Sequence, residues 1–210
     1  MKKEPEIFCE KYEPYLDKIE FPNEYKGYIV YDKFANSPRN FEETAGTLIS
    51  LDSRFDSDKN APEINTDNFI SLDEIIEYVK KEYNAINMRV ITAYIHGGIS
   101  LYSKPAEEKK TKPADIWDTG IFGIIYTTKE KIKQLGIEPN MIDKVLESEI
   151  KDLDDYLNGN VYSYIICNPK NEIIEYTGSE IGKDGLNFLK EELKEVDYKS
   201  YEENQQNVNA

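Results

Sequence analysis

The side chains of this sequence that could do chemistry are few in kind and, where acidic, very many in number. His96 is the single histidine of 210 residues. A metal site built on two histidines, or a His-Glu-x-x-His helix, is therefore excluded. A nucleophile–His–acid triad would have to use His96 with Cys9, Cys167 or a serine, and no Gly-x-Ser-x-Gly elbow is present to present one. His96 then has two readings. It is a hydrogen-bonded residue at a hairpin turn, or it belongs to a ligand site with Arg54, Trp117 and Asp118 at one end of a sheet. Asp52, Asp56 and Asp58 fall in one loop, but without the alternating acidic pattern, the glycine and the closing Glu of a calcium loop. They read as a solvated loop. Neither Gly-x-Gly-x-x-Gly nor Gly-x-x-x-x-Gly-Lys occurs, so no nucleotide cofactor is expected, and no metal.

Charge sets the next bound. Asp and Glu number 41 against 26 Lys and Arg, for a net charge of −15. Such a chain is repelled by phosphate backbones, which disfavours direct binding of nucleic acid. Two readings of the acidity remain, solubility or a negative surface aimed at a basic groove. Only Arg39, Arg54 and Arg89 are arginines, and Lys, Ile, Asn, Tyr and Glu dominate, as in proteins from AT-rich genomes. That points to a low-GC bacterium or its mobile elements. Sixteen tyrosines offer rigid, amphipathic area suited to protein–protein contact. No run approaches the roughly 18 apolar residues of a membrane span. The two cysteines are far apart and read as reduced thiols, so the expected compartment is the bacterial cytoplasm. A chain of this length buries about 70% of its unfolded surface and needs no disulfide or metal to fold.

The elements that must position these residues follow from patterning. Residues 1–23 read as a short helix or irregular arm. Strands are expected at 27–34, 46–51 and 121–128, rich in β-branched and aromatic residues. Residues 88–96 and 99–103 read as a hairpin about Gly97-Gly98. Ser71 with Glu74 caps a helix whose buried stripe is Ile75, Ile76 and Val79. Thr127 with Glu130 caps a short helix. Residues 140–157 form an amphipathic helix, with Ile142, Val145, Leu146, Ile150, Leu153 and Leu157 on one face. Its other face carries Asp143, Glu147, Glu149, Asp152, Asp154 and Asp155. Residues 161–167 and 172–176 pair across Asn168–Asn171, Asp184 caps a last helix ending near Val196, and residues 199–210 read as a disordered polar tail. Strands arriving in adjacent pairs predict an α+β domain over 24–198, a mainly antiparallel sheet with helices packed on one face.

Three blocks carry a family resemblance. Ser37-Pro38-Arg39 with Gly46-Thr47-Leu48 and Ser53-Arg54-Phe55 is one, and Ala93-Tyr94-Ile95-His96-Gly97-Gly98-Ile99-Ser100 another. The third and most specific is the Trp-Asp-x-Gly-x-x-Gly-x-Ile-Tyr block at 117–126. Together they resemble a family of phage- and plasmid-encoded proteins without a settled activity, over roughly 27–164. The resemblance implies a mobile-element origin. Small acidic proteins from that setting often block host defences by offering carboxylates to a nuclease groove built for phosphates. The functional expectation is therefore an anti-CRISPR or antirestriction protein that binds a host nuclease. Its contact candidates are Asp143, Glu147, Asp152, Asp154 and Asp155 with the loop acids Asp52, Asp56 and Asp58. The alternatives are a small-ligand binder or enzyme around His96, and an accessory phage protein with no inhibitory role.

Overall fold

Strand-forming residues build two antiparallel sheets rather than the one expected from the pairing pattern. The computed structural model describes residues 14–41, 43–106 and 119–197. These gather into two compact units, one from the described residues up to Ala35 together with those from Gly159 on, the other from Asn36 to Asn158. Both are α+β with antiparallel pairing, the expected class.

The Asn36–Asn158 unit holds β3 (Thr47–Ser50), β4 (Ala85–Ile95), β5 (Ile99–Pro105) and β6 (Thr119–Thr128), in the order β3-β6-β4-β5. Ile95 faces Ile99 across the expected turn, where Gly97 takes φ +72°, a left-handed conformation that costs glycine nothing. A bulge between Ile91 and Thr92 lets Phe122 face the same side as Ile125, out of step with simple alternation. Helices cover both faces of this sheet, against the expectation of one. Leu146, Ile150 and Leu153 of α3 (Ile142–Leu157) pack on Leu48, Ile91, Phe122 and Ile125. On the other side Ile75, Ile76 and Val79 of α1 (Leu72–Glu82) pack on Ile49, Val90, Ile124 and Tyr126. The reason lies in β6, whose Phe-Gly-Ile-Ile-Tyr run is apolar on both sides and needs a cover for each.

Ser71 caps α1 as expected, its Oγ accepting from the Glu74 amide at 3.3 Å. At α2 (Lys129–Leu135) the cap is Thr128, one residue later than predicted, accepting from the Lys131 amide. Strand alternation explains the shift: Thr127 points inward and is 1% exposed. Its Oγ1 finds no hydrogen-bond partner among the described residues. Thr127→Val keeps the shape and removes that hydroxyl, so it is expected to leave stability unchanged or raise it by about 1 kcal/mol in urea unfolding.

The other unit orders β1 (Asp17–Glu20), β2 (Lys26–Tyr31), β7 (Val161–Cys167) and β8 (Ile173–Tyr176), with β9 (Glu180–Ile181) also pairing β7. Residues 1–13 lie outside the described residues, and β1 replaces the expected helix or arm only at Asp17–Glu20. Four residues, Asp-Lys-Ile-Glu, are too few to show a period, yet they pair in register with β2. Leu189 and Leu193 of α4 (Gly182–Glu195) cover one face of this sheet against Ile29 and Ile166. Gly27 permits this approach, since a Cβ there would lie 2.5 Å from Leu193 Cδ1. Asp184 does not cap α4. β9 runs straight into the helix through Gly182 at φ +69°, leaving Asp184 in the first turn, where its charge favours the helix dipole. Cys167 is fully buried; Cys9 and the 199–210 tail lie outside the described residues.

A polar latch joins the end of β2 to β7 and the loop after β8. Asp32 accepts from Ser163 Oγ at 3.2 Å, from Ser179 Oγ and from the Phe34 amide. Partial burial works to raise its carboxyl, but these hydrogen bonds and one from Tyr176 outweigh it and hold the group below its ordinary value. Tyr164 shows the opposite balance. Burial first, then the Glu175 carboxylate 3.1 Å away, push its phenol up to about 12.

Candidate functional site

Arg39 organises a buried polar network in the Asn36–Asn158 unit. Ser37 and Pro38 start a short 3₁₀ turn, with Ser37 Oγ accepting from the Arg39 amide. That turn aims the Arg39 side chain inward, where it is 8% exposed. Its Nε and Nη2 grip Asp58 bidentately at 3.0 and 2.6 Å, Nη1 donates to Glu149 at 2.7 Å, and Nη2 donates also to the Gly46 carbonyl. Asp58 in turn accepts from the Leu48 amide at 2.8 Å, and Glu149 from the Ala45 and Gly46 amides. Burial works against the Arg39 charge, but the two carboxylates more than offset it and raise its pKa above the ordinary value. One guanidinium thus ties the 52–58 loop, the start of β3 and α3 together.

Beside this hub opens a cleft of about 280 Å³ with an apolar floor, including Phe55, Phe122 and Leu153, and a rim of Arg54, Asp56 and Lys59. Its size is just below the usual range for ligand pockets. The first resemblance block, Arg39 with Leu48 and Arg54-Phe55, is gathered here. Arg54 is largely exposed, held by Asp52 through Nε and Nη2 and lying over the Phe55 ring, 5.8 Å from its centroid. The hydrogen bond to Arg54 lowers the Asp52 carboxyl.

The carboxylates proposed as a contact surface divide sharply. Asp52 and Asp58 are taken by Arg54 and Arg39, and only Asp56 of that loop stays at the exposed rim without such a partner bond among the described residues. On α3, Asp154 turns inward and accepts from the Leu101 amide at 2.7 Å. Asp155 accepts from Lys151 at 3.1 Å. Asp152 is half-buried, and burial, reinforced by Asp155 and Glu149, raises its carboxyl; burial likewise raises Asp154. Asp143 and Glu147 behave differently. Their side chains remain 53% and 62% exposed, yet Arg89 of β4, only 4% exposed, reaches up to bind them at 2.7 and 3.2 Å. Ser103 Oγ and the Ser103 carbonyl fix the same guanidinium from the neighbouring strand.

His96 sits exposed in the β4–β5 turn, its amide donating to the Gly98 carbonyl and its ring 6.2 Å from that of Tyr94. It is not among the residues lining the Arg54 cleft, so the structure does not bring His96 and Arg54 into one pocket. Trp117 and Asp118 lie outside the described residues.

The exposed side of α1 is not among the sequence-based candidates. Ile70, next to the Ser71 cap, is 94% exposed, and Tyr78 is 38% exposed between the rings of Phe69 and Tyr83. The signal for it in the sequence is the four-residue spacing of Ile70, Glu74, Tyr78 and Glu82, beside the buried stripe of Ile75, Ile76 and Val79. No family model, no curated protein and no solved structure matches this chain.

Proposed function

We propose that this chain is an anti-defence protein of a phage or other mobile element, which binds a CRISPR effector or restriction enzyme and inhibits it through an acidic surface mimicking nucleic acid. The observation that carries this reading is the pair Asp143 and Glu147. Both are more than half exposed, and both are held from beneath by a buried arginine. A side chain that must stand in for a phosphate works best when it does not have to be ordered on binding. Arg89 removes one unit of charge from the pair and in exchange fixes its position. Four residues along a helix place the two carboxylates about 6 Å apart along its axis. The net charge of −15 adds a long-range field that steers a basic groove towards the chain.

The test is cleavage of DNA by a panel of purified CRISPR effector nucleases and restriction endonucleases from low-GC bacteria, with this chain titrated in at low and high salt. Inhibition of at least one enzyme is expected. It should weaken steeply with salt, since exposed charges are screened within about 8 Å at physiological ionic strength. Asp143→Asn with Glu147→Gln keeps acceptors for Arg89 and is expected to weaken inhibition about tenfold. Inhibition of no enzyme, or tight inhibition indifferent to salt, overturns the charge-mimic reading.

A further inference from the structure

We infer a second contact surface, the outer face of α1, built to receive an arginine-bearing amphipathic segment of another protein. This inference goes beyond the acidic face of α3, because α1 and α3 cover opposite faces of the same sheet. It starts from Ile70. A residue in that place, just before the helix cap, commonly folds back onto the fourth helical residue, here Ile75. Ile75 is instead buried against the sheet, and Ile70 stays 94% exposed. Nor is its backbone loosely held. The Ile70 amide donates to Glu74 Oε2 at 2.8 Å, while the Glu74 amide donates to Ser71 Oγ, so the cap itself presents the isoleucine to solvent.

The same row along the helix continues at four-residue spacing through Glu74, Tyr78 and Glu82, which on an α-helix lie one above the other. Tyr78 is fixed by its neighbours, with ring centroids 5.2 Å to Phe69 and 6.0 Å to Tyr83, and Tyr83 continues at 6.3 Å to the buried Tyr126. An aromatic ladder therefore runs from the core to a tyrosine that is itself 38% exposed. Carboxylates stand on either side of that tyrosine in its row, and Asp73 and Glu77 form the next row.

Alternating apolar, acidic, aromatic and acidic groups match one kind of partner. A guanidinium is planar and weakly hydrated, so it stacks on a tyrosine and donates in plane to a carboxylate at the same time; an ammonium does the second and not the first. An aliphatic side chain one turn along would cover Ile70. The existing local cations do not close the surface. Lys81–Glu82 at 3.9 Å is a long, exposed pair of the kind that exchanges readily, and Lys80, half-buried, reaches Glu77 at 3.4 Å and leaves Glu74 and Glu82 on the row of Tyr78. Nucleic acid does not fit the face, because its phosphates would meet Asp73, Glu74, Glu77 and Glu82.

The test uses two synthetic amphipathic peptides of Leu and Arg, or Leu and Lys, otherwise identical, titrated against the full chain by fluorescence anisotropy with amide shifts followed by NMR. The arginine peptide is expected to bind at least threefold tighter, with shifts centred on residues 70–82. Tyr78→Leu should erase that arginine preference, and Ile70→Ser, at a site too exposed to affect folding, should weaken both peptides severalfold. Asp143→Asn with Glu147→Gln should leave peptide binding within twofold, which separates this surface from the one proposed for nuclease inhibition. Equal binding of the two peptides, a preference that survives Tyr78→Leu, or shifts centred on α3 would overturn the inference.

Discussion

Arg39→Met is expected to destabilise the Asn36–Asn158 unit by about 3–5 kcal/mol, because it leaves two carboxylates facing one another without the cation between them. The methionine fills much of the volume, so packing is not the main loss. Asp58 and Glu149 are mostly buried and keep their amide donors from Leu48, Ala45 and Gly46, but they lose the guanidinium that balanced their charge. Arg39→Lys should recover only part of the loss. One ammonium cannot reproduce the fork on Asp58 together with the bonds to Glu149 and Gly46. Adding Asp58→Asn and Glu149→Gln to Arg39→Met should restore a substantial share, since the amide oxygens still accept from the backbone while the charge is gone. Urea unfolding of the four proteins decides the matter. A loss below about 1 kcal/mol for Arg39→Met would mean that solvent screens the network despite its burial.

Gly123→Ala is the second large effect, expected at about 3 kcal/mol or more. A Cβ at this position would lie 2.3 Å from the Ile49 carbonyl oxygen and 3.2 Å from Ile49 C and Ser50 Cα. All three are backbone atoms, so no side chain can swing away, and β3 must move off β6. The bulge makes this glycine necessary: it turns Phe122 into the core under α3 and leaves Gly123 against the passing strand. Displacing β3 also disturbs the cleft, since the Leu48 amide is one of the donors to Asp58. Gly120→Ala is the matched control, having nothing within 4 Å of its Cβ on the same strand, and should change stability by less than about 0.5 kcal/mol. Denaturant midpoints for the pair, with amide exchange at Ile49 and Ser50, measure the difference. Equal midpoints would show that β3 yields without cost.

Local chemistry was legible wherever a few adjacent residues decide the outcome. Ser71 and Glu74 announced a cap, Gly97-Gly98 a turn, Asn168–Asn171 a hairpin whose Asn168 side chain accepts from the Lys170 and Glu172 amides, and the apolar stripe of α3 its buried face. Even the misplaced cap at Thr127 was wrong by one residue, because alternation along β6 decides which of two threonines points out.

Which carboxylate does what was not legible, and the reason is combinatorial. With 41 acids in the chain, sequence alone ranks none above another as the partner of a given arginine. Folding sets Arg39 on Glu149, 110 residues away, and Arg89 on Asp143, 54 residues away, and so turns part of an apparent acidic surface into internal support. By itself the sequence determined the helices, most strands, the antiparallel character and a charge hostile to phosphate, all of which follow from local periodicity and sums. The tertiary structure alone decided the division into two sheets, the helices on both faces of one of them, and the sorting of acids into those that hold the fold and those left to solvent. Those outcomes rest on pairings between distant residues, where burial removes water as a competitor and a single geometry is selected.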